Sequence, residues 1–516
     1  MSKPKKYLTR REFLKAGTCG AMTIGPLVNT IAQLSLVNSA AASVLGAGSI
    51  GTDYKALVCI FLRGGCDTNN ILIPVGVNPL AEVYAADRGA VAVPNGVVNA
   101  SYNPDGNDDT IPIAVPGLEP MGLHPNLPNL AEMYGGGEAA FITNVGTLAE
   151  PTTQSSYSTS SLPKQLFSHS DQVTQWMSSI SDKPYESGWG ARVADLYHDT
   201  WNELNPTSML ITAAGTNQFM NGGYNSQYSV TSTGAISLAG FGTNYASALD
   251  GSGNYLGTSQ GNRLKALEKI MQYSHAHIIE EGYSQVIRSA RENESVISEA
   301  IAVEASLGIN FDAIWAEKGA NSNLATELKA VARLIAGREC LGNKRQIFFV
   351  DLGGFDTHSN LNGRLNSLLT QLDQAVGAFN AGMKELAIKD ANFEYDKVTT
   401  FQASDFNRTW TPNGTATASA GTDHAWGTHT FAFGGAVNGG DFYGSFPTLG
   451  VGTADDVPSG SRGRWIPTTA VDQLGAKVAN WFGVPAASSE MAAIFPNLYR
   501  FEDPFDLSGS ANLGFI

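Results

Sequence analysis

Acids and histidines cluster in the second half of this chain at spacings that suit metal ligation. Asp356 and His358 stand two apart in Gly353-Gly-Phe-Asp-Thr-His358, so in extended backbone both side chains face one way and can grip one cation. Asp423 and His424 are adjacent, and His429 follows five residues after His424 in Thr422-Asp-His-Ala-Trp-Gly-Thr-His429. Asp67 and Asp405 each close a glycine- or serine-bearing turn behind an apolar run. Mixed carboxylate and imidazole sets suit Zn or Mn, and the acids also suit Mg or Ca. Two such divalent ions, about 4 Å apart, would use this many ligands. The competing reading is that these aspartates cap helices or brace turns.

A further grouping is Phe167-Ser-His-Ser-Asp-Gln172, which runs into helix-like sequence ending at Met177. A hydroxyl at a helix start lies among N–H groups that attract anions, so Ser168 is a candidate nucleophile and His169 a candidate catalytic partner. A plain N-cap role for Ser168 or Ser170 competes with this. Cys66 reads as an inert small residue on its turn, and His124 as a structural hydrogen-bonder.

These residues need elements to hold them. Ala56–Leu62, Ala139–Val145, Ser208–Ala213, Gln346–Leu352 and Val398–Ala403 are near-continuous apolar runs, the pattern of strands buried on both faces. Helical patterns separate them, with apolar residues at 361, 365, 368, 372, 376, 379, 383 and 386 marking one face. The expectation is an α/β fold, a mainly parallel sheet flanked by helices, with the strand-end acids Asp67, Asp356 and Asp405 converging at its carboxyl edge. A polar stretch at about 213–262 reads as a surface insertion, followed by a helical segment to about 340. Residues 43–516 are expected to form one large domain.

Residues 1–42 read as an address. Arg10-Arg11 precede a short, mildly apolar stretch and the small residues Ser39-Ala-Ala-Ala42, which fits a cleavable twin-arginine export signal. The expected location is periplasmic or extracellular, reached through the twin-arginine machinery, without a membrane-spanning segment once processed. The chain has 516 residues and a formal charge of −15; the leader holds six basic residues and one acid, so 43–516 carries −20. That balance excludes a nucleic-acid partner, since phosphate binding needs clustered cations. Four cysteines, one of them in the leader, cannot form a disulfide framework.

Taken together, Phe61-Leu-Arg-Gly-Gly-Cys-Asp67, Gly122-Leu-His-Pro125, Ser168-His169, Gly188-Trp-Gly-Ala-Arg192, Gly353–His358, Ser404-Asp-Phe-Asn-Arg-Thr409 and Gly421-Thr-Asp-His424 resemble an exported bacterial family catalogued as domain of unknown function 1501. The resemblance implies a fold similar to the alkaline phosphatase and sulfatase superfamily. It implies Asp67 as a first-strand metal ligand, Ser168 as nucleophile, and Asp356 with His358 on one metal, with Asp405 and the 423–429 loop completing the site. Here Cys66, Asp405 and Asn407 stand where that family usually shows Asn, Glu and Gly. The expected function is a metal-dependent hydrolase of small-molecule or glycan phosphate or sulfate esters. The alternative is a non-catalytic envelope protein binding a glycan or partner on a degenerate hydrolase scaffold.

Overall fold

The computed structural model describes residues 54–516, apart from 204, 206, 232–233, 236–239, 242–244, 252, 272–292, 295, 459, 461 and 509–511. The leader and its arginine pair lie outside the described residues.

The principal strands are β1 (Lys55–Arg63), β2 (Leu72–Pro74), β3 (Ile111–Ile113), β4 (Met121–Leu123), β5 (Ala139–Gly146), β6 (Leu210–Thr212), β7 (Tyr228–Thr231), β8 (Gly234–Ala235), β9 (Arg345–Gly353), β10 (Val398–Ser404), β11 (Thr428–Gly434), β12 (Phe442–Tyr443) and β13 (Thr469–Ala470). The main sheet runs β12-β5-β11-β10-β1-β9-β6-β7-β8, with β13 also pairing β5; β2, β4 and β3 form a small side sheet. The longer helices are α1 (Pro79–Arg88), α2 (Pro128–Gly135), α3 (His169–Ser178), α4 (Trp189–Trp201), α5 (Ser259–Met271), α6 (Phe311–Glu317), α7 (Asn323–Ala336), α8 (Leu361–Lys389) and α9 (Val471–Phe482).

The fold is α/β, with a mixed, mostly parallel sheet between helical layers. Its centre explains why β1 reads as unbroken apolar sequence. Ala56, Val58, Ile60 and Leu62 pack to one side with α7 and α8, while Leu57, Cys59 and Phe61 pack to the other with α4 and α9. The long α8 buries Leu361, Leu365, Leu369, Leu372, Val376, Phe379, Met383 and Leu386. Leu369 thus takes the place that spacing alone assigns to Leu368, one residue further round the helix.

Two features depart from the sequence pattern. β11 lies antiparallel between β10 and β5, in a region whose polar Thr and His residues read as loop. The 213–262 stretch is also more than surface loop, since β7 extends the sheet beside β6 and buries Val230 in the core. None of the helices among the described residues is long and apolar enough to cross a membrane.

Candidate metal centre

β10, β1 and β9 are adjacent and parallel, in a register that aligns Leu62 with Leu352 and Ser404. Their carboxyl ends therefore open at one level, and the loops that follow carry Asp405, Asp67 and Asp356. Close approach of these loops depends on glycine. Gly64 has φ +111°, and a Cβ there would stand 2.5 Å from the Asp356 amide nitrogen. At Gly421 a Cβ would meet the His358 carbonyl carbon at 2.2 Å. The 405–427 loop doubles back so that Arg408 bridges His424, with the Thr422 N–H donating to the Thr357 carbonyl.

Three imidazoles converge on one oxygen, Asp356 Oδ1. His358 Nε2 lies 3.1 Å from it, His169 Nε2 3.4 Å and His424 Nε2 3.5 Å, and the His358 and His424 Nε2 atoms are 3.0 Å apart. Each ring is steadied through its other nitrogen: His169 Nδ1 by Asp405 at 2.7 Å, His358 Nδ1 by Asp423 at 2.9 Å, and His424 Nδ1 by the Phe167 carbonyl at 2.8 Å. In the neutral form of each ring these acceptors place the hydrogen on Nδ1 and leave Nε2 as the lone-pair nitrogen. The Phe406 ring lies tilted against both the His169 and His424 rings, 4.8 Å from each, and those two rings meet edge-on at 4.3 Å.

Backbone strain accompanies the contact. Phe167 and Gln165 adopt φ of 74° and 50°, values uncommon for side-chain-bearing residues. That turn feeds the Phe167 carbonyl to His424 and starts α3 with His169 in the cluster.

Electrostatics follow the geometry. The hydrogen bond to Asp405 raises His169 above the usual histidine range, against the opposing effect of burial. Burial lowers His424, and the neighbouring His169, Arg408 and His358 add to that. Asp356 is held below the ordinary carboxylate range because Arg408, His358 and His169 together outweigh its partial burial. Asp423 falls to about 2, with Arg462 and His358 overcoming burial. Arg408 is fully buried and donates to Asp356 Oδ1 at 2.9 Å.

His169 Nε2 is buried without a hydrogen-bond partner. With the rings neutral, three Nε2 lone pairs face one another around a carboxylate oxygen that only Arg408 offsets. A shared proton relieves one such contact; a metal ion relieves all of them, and the donor set of three imidazoles and one carboxylate fits a divalent ion. A cleft of about 560 Å³ opens beside this group, lined by Arg63, Ser170, Thr174, Gln218, Val173 and Met177 among others.

Other predicted site residues lie elsewhere. Asp67 is buried in an ion pair with Arg88, which also donates to the Thr409 and Trp410 carbonyls. His429 is buried on β11, accepts from the Asn144 N–H and stacks on Phe446, and burial lowers it to about 3. Asp405 and Asp423 orient histidines rather than facing Asp356 Oδ1 themselves. Ser168 donates to Asp171 at 2.6 Å, does not cap α3 through its side chain, and does not line the cleft. His124 is buried and lowered to about 4 by burial, and burial pushes the Cys66 thiol far up, leaving it unreactive.

Sequence reasoning missed Arg88 and Arg408 altogether and gave His169 a catalytic role where the structure sets it among the facing nitrogens. Arg408 lies in the Ser404–Thr409 block, so its position was visible but not its partner. Nothing in the spacing points to Arg88.

No curated protein and no solved structure matches the chain. A family model described as "Protein of unknown function (DUF1501)" matches residues 54–461, a span that holds β1, α3 and every residue of the histidine cluster, and the chain belongs to that family.

Proposed function

We propose that this protein is an exported, metal-dependent hydrolase of phosphate or sulfate esters, with an alkaline phosphatase/sulfatase-like fold. The observation that supports it is the meeting of three Nε2 atoms around Asp356 Oδ1, each ring held through Nδ1 by an acceptor. His169, Asp356, His358 and His424 would hold a divalent ion, which would supply Lewis-acid polarisation of an ester oxygen and lower the pKa of a bound water toward neutral.

The chain's own residues do the rest. Asp405, Asp423 and the Phe167 carbonyl fix the tautomers and aim the rings, as outer partners of metal-binding histidines do. Arg63 borders the cleft, paired to Asp351 through Nε, and attracts the anionic ester group. Ser170, Thr174 and Gln218 offer hydrogen bonds to it, while Val173 and Met177 offer an apolar wall to the organic portion. Ser168 is engaged by Asp171, so this reading assigns the attack to water. Export through the twin-arginine machinery to the periplasm or beyond belongs to the same proposal and rests on Arg10-Arg11 and the residues after them.

The test is reconstitution. Metal-stripped protein should regain aryl phosphatase or aryl sulfatase activity on adding Zn²⁺ or Mn²⁺, and His358→Ala should abolish it. A second reading, a non-catalytic envelope binder, draws on Ser168, the expected nucleophile, which is bonded to Asp171 and does not line the cleft. Stoichiometric metal without turnover of either ester class would favour that binder.

A further inference from the structure

We infer that the centre takes a single ion of the first-row transition series and excludes a second, because the chain's own arginines, histidines and backbone N–H groups occupy the carboxylates that a second ion would need. This rests on the metal reading above and deepens it by setting the number and class of ion.

The class follows from the donors. Among the described residues, His169, Asp356 and His424 place ligand atoms within 4.8 Å of one another, and His358 Nε2 lies 3.1 Å from the same Asp356 oxygen. Three nitrogens to one oxygen is a set that suits Zn, Mn, Fe or Co, whereas Mg and Ca require shells of oxygen. The buried, unpartnered His169 Nε2 points to the same kind of occupant.

The number follows from where each nearby acid is engaged. Asp405 spends Oδ2 on His169 Nδ1 and receives the Gly64 N–H on both oxygens. Asp423 spends Oδ1 on His358 Nδ1 and Oδ2 on Arg462. Asp67 gives Oδ2 to Arg88 with both side chains fully buried, so an ion at its unpartnered Oδ1 would sit against that guanidinium. Asp356 Oδ1, the oxygen at the centre, also receives Arg408, whose side chain is wholly buried. A second dication would have to displace a guanidinium from a carboxylate or sit against one. Arg408 and Arg88 thus supply as fixed charge what a second ion would bring, in a position it cannot share.

The experiment needs no substrate. The full chain, stripped with a chelator, is titrated with Co²⁺ while its visible d–d absorption is followed, and bound metal is counted by elemental analysis. The expected result is saturation at one equivalent, no displacement by millimolar Mg²⁺ or Ca²⁺, and binding weakened by at least about 100-fold in His358→Ala and His424→Ala. Saturation at two equivalents would overturn the single-ion inference and leave the metal reading standing. Displacement by Ca²⁺ or Mg²⁺ at concentrations comparable to Co²⁺ would overturn the ion class. Absence of binding by a chain whose circular dichroism is native would overturn this inference and the metal reading together.

Discussion

Asp67 and Asp356 follow neighbouring parallel strands, and both close a glycine-rich turn at the carboxyl edge of the sheet. Their surroundings are opposite. Asp67 is sealed with Arg88 and leaves Oδ1 without a hydrogen-bond partner, whereas Asp356 is 48% exposed and faces three imidazoles and Arg408. The contrast teaches that a strand-end acid is made a structural or a chemical group by the charge packed against it. Arg88 and full burial seal Asp67 off, whereas Asp356 shares its oxygen between Arg408 and three imidazoles at a half-open site that leaves room for a cation.

The largest effect expected from breaking this contrast is on stability. Arg88→Ala would leave Asp67 as an uncompensated buried charge and should cost about 3–5 kcal/mol in denaturant unfolding. Asp356→Asn in the metal-free chain should cost much less. Equal losses at the two positions would erase the distinction between them.

Next come the residues that aim the imidazoles. Asp405→Asn should weaken metal binding roughly 10–100-fold by calorimetric titration while the secondary structure stays native. Unchanged affinity would mean that the Asp405–His169 bond does not orient the ring.

Asp472 extends the comparison to a fully buried acid without an ion pair. Burial raises it to about 7, against the favourable influence of Ser179 and Arg192. The folded state therefore keeps a proton that the unfolded state releases from about pH 4 upward, so stability falls as pH rises toward 7 and levels off above it. Asp472→Asn should flatten that slope and gain on the order of 2 kcal/mol at pH 8, with little change below pH 4. A variant that keeps the wild-type pH profile would show that Asp472 is ionised in the folded chain.

The smallest effect is expected at Ser168. With its hydroxyl bonded to Asp171, Ser168→Ala should change kcat/KM for an ester substrate by no more than about threefold. A loss of several orders of magnitude would return the nucleophile to that serine.

Much of the scaffold was legible because its signals are local. The apolar runs at 56–62, 346–352 and 398–403 became the three central parallel strands, and the periodic face from Leu361 to Leu386 became α8. β11 was not legible, since Thr428, His429 and Thr430 are polar yet buried, and their burial comes from the strands on either side rather than from their own sequence. At the site, the Asp356–His358 pair was readable from its spacing of two. The addition of His169 and His424 to the same oxygen was not, because they come from segments 187 residues before and 68 after it.

By itself, then, the sequence determined the α/β class, the central strands, and which acids and histidines stand at their ends, since periodicity and chain continuity act over a few residues. Tertiary structure alone decided that Arg88 would engage Asp67, that Arg408 would reach Asp356, and that three imidazoles would meet with their Nε2 atoms turned to one carboxylate oxygen. Those outcomes depend on side-chain direction and on charges brought together from distant segments, and electrostatic partnership depends on distance in space rather than on position along the chain.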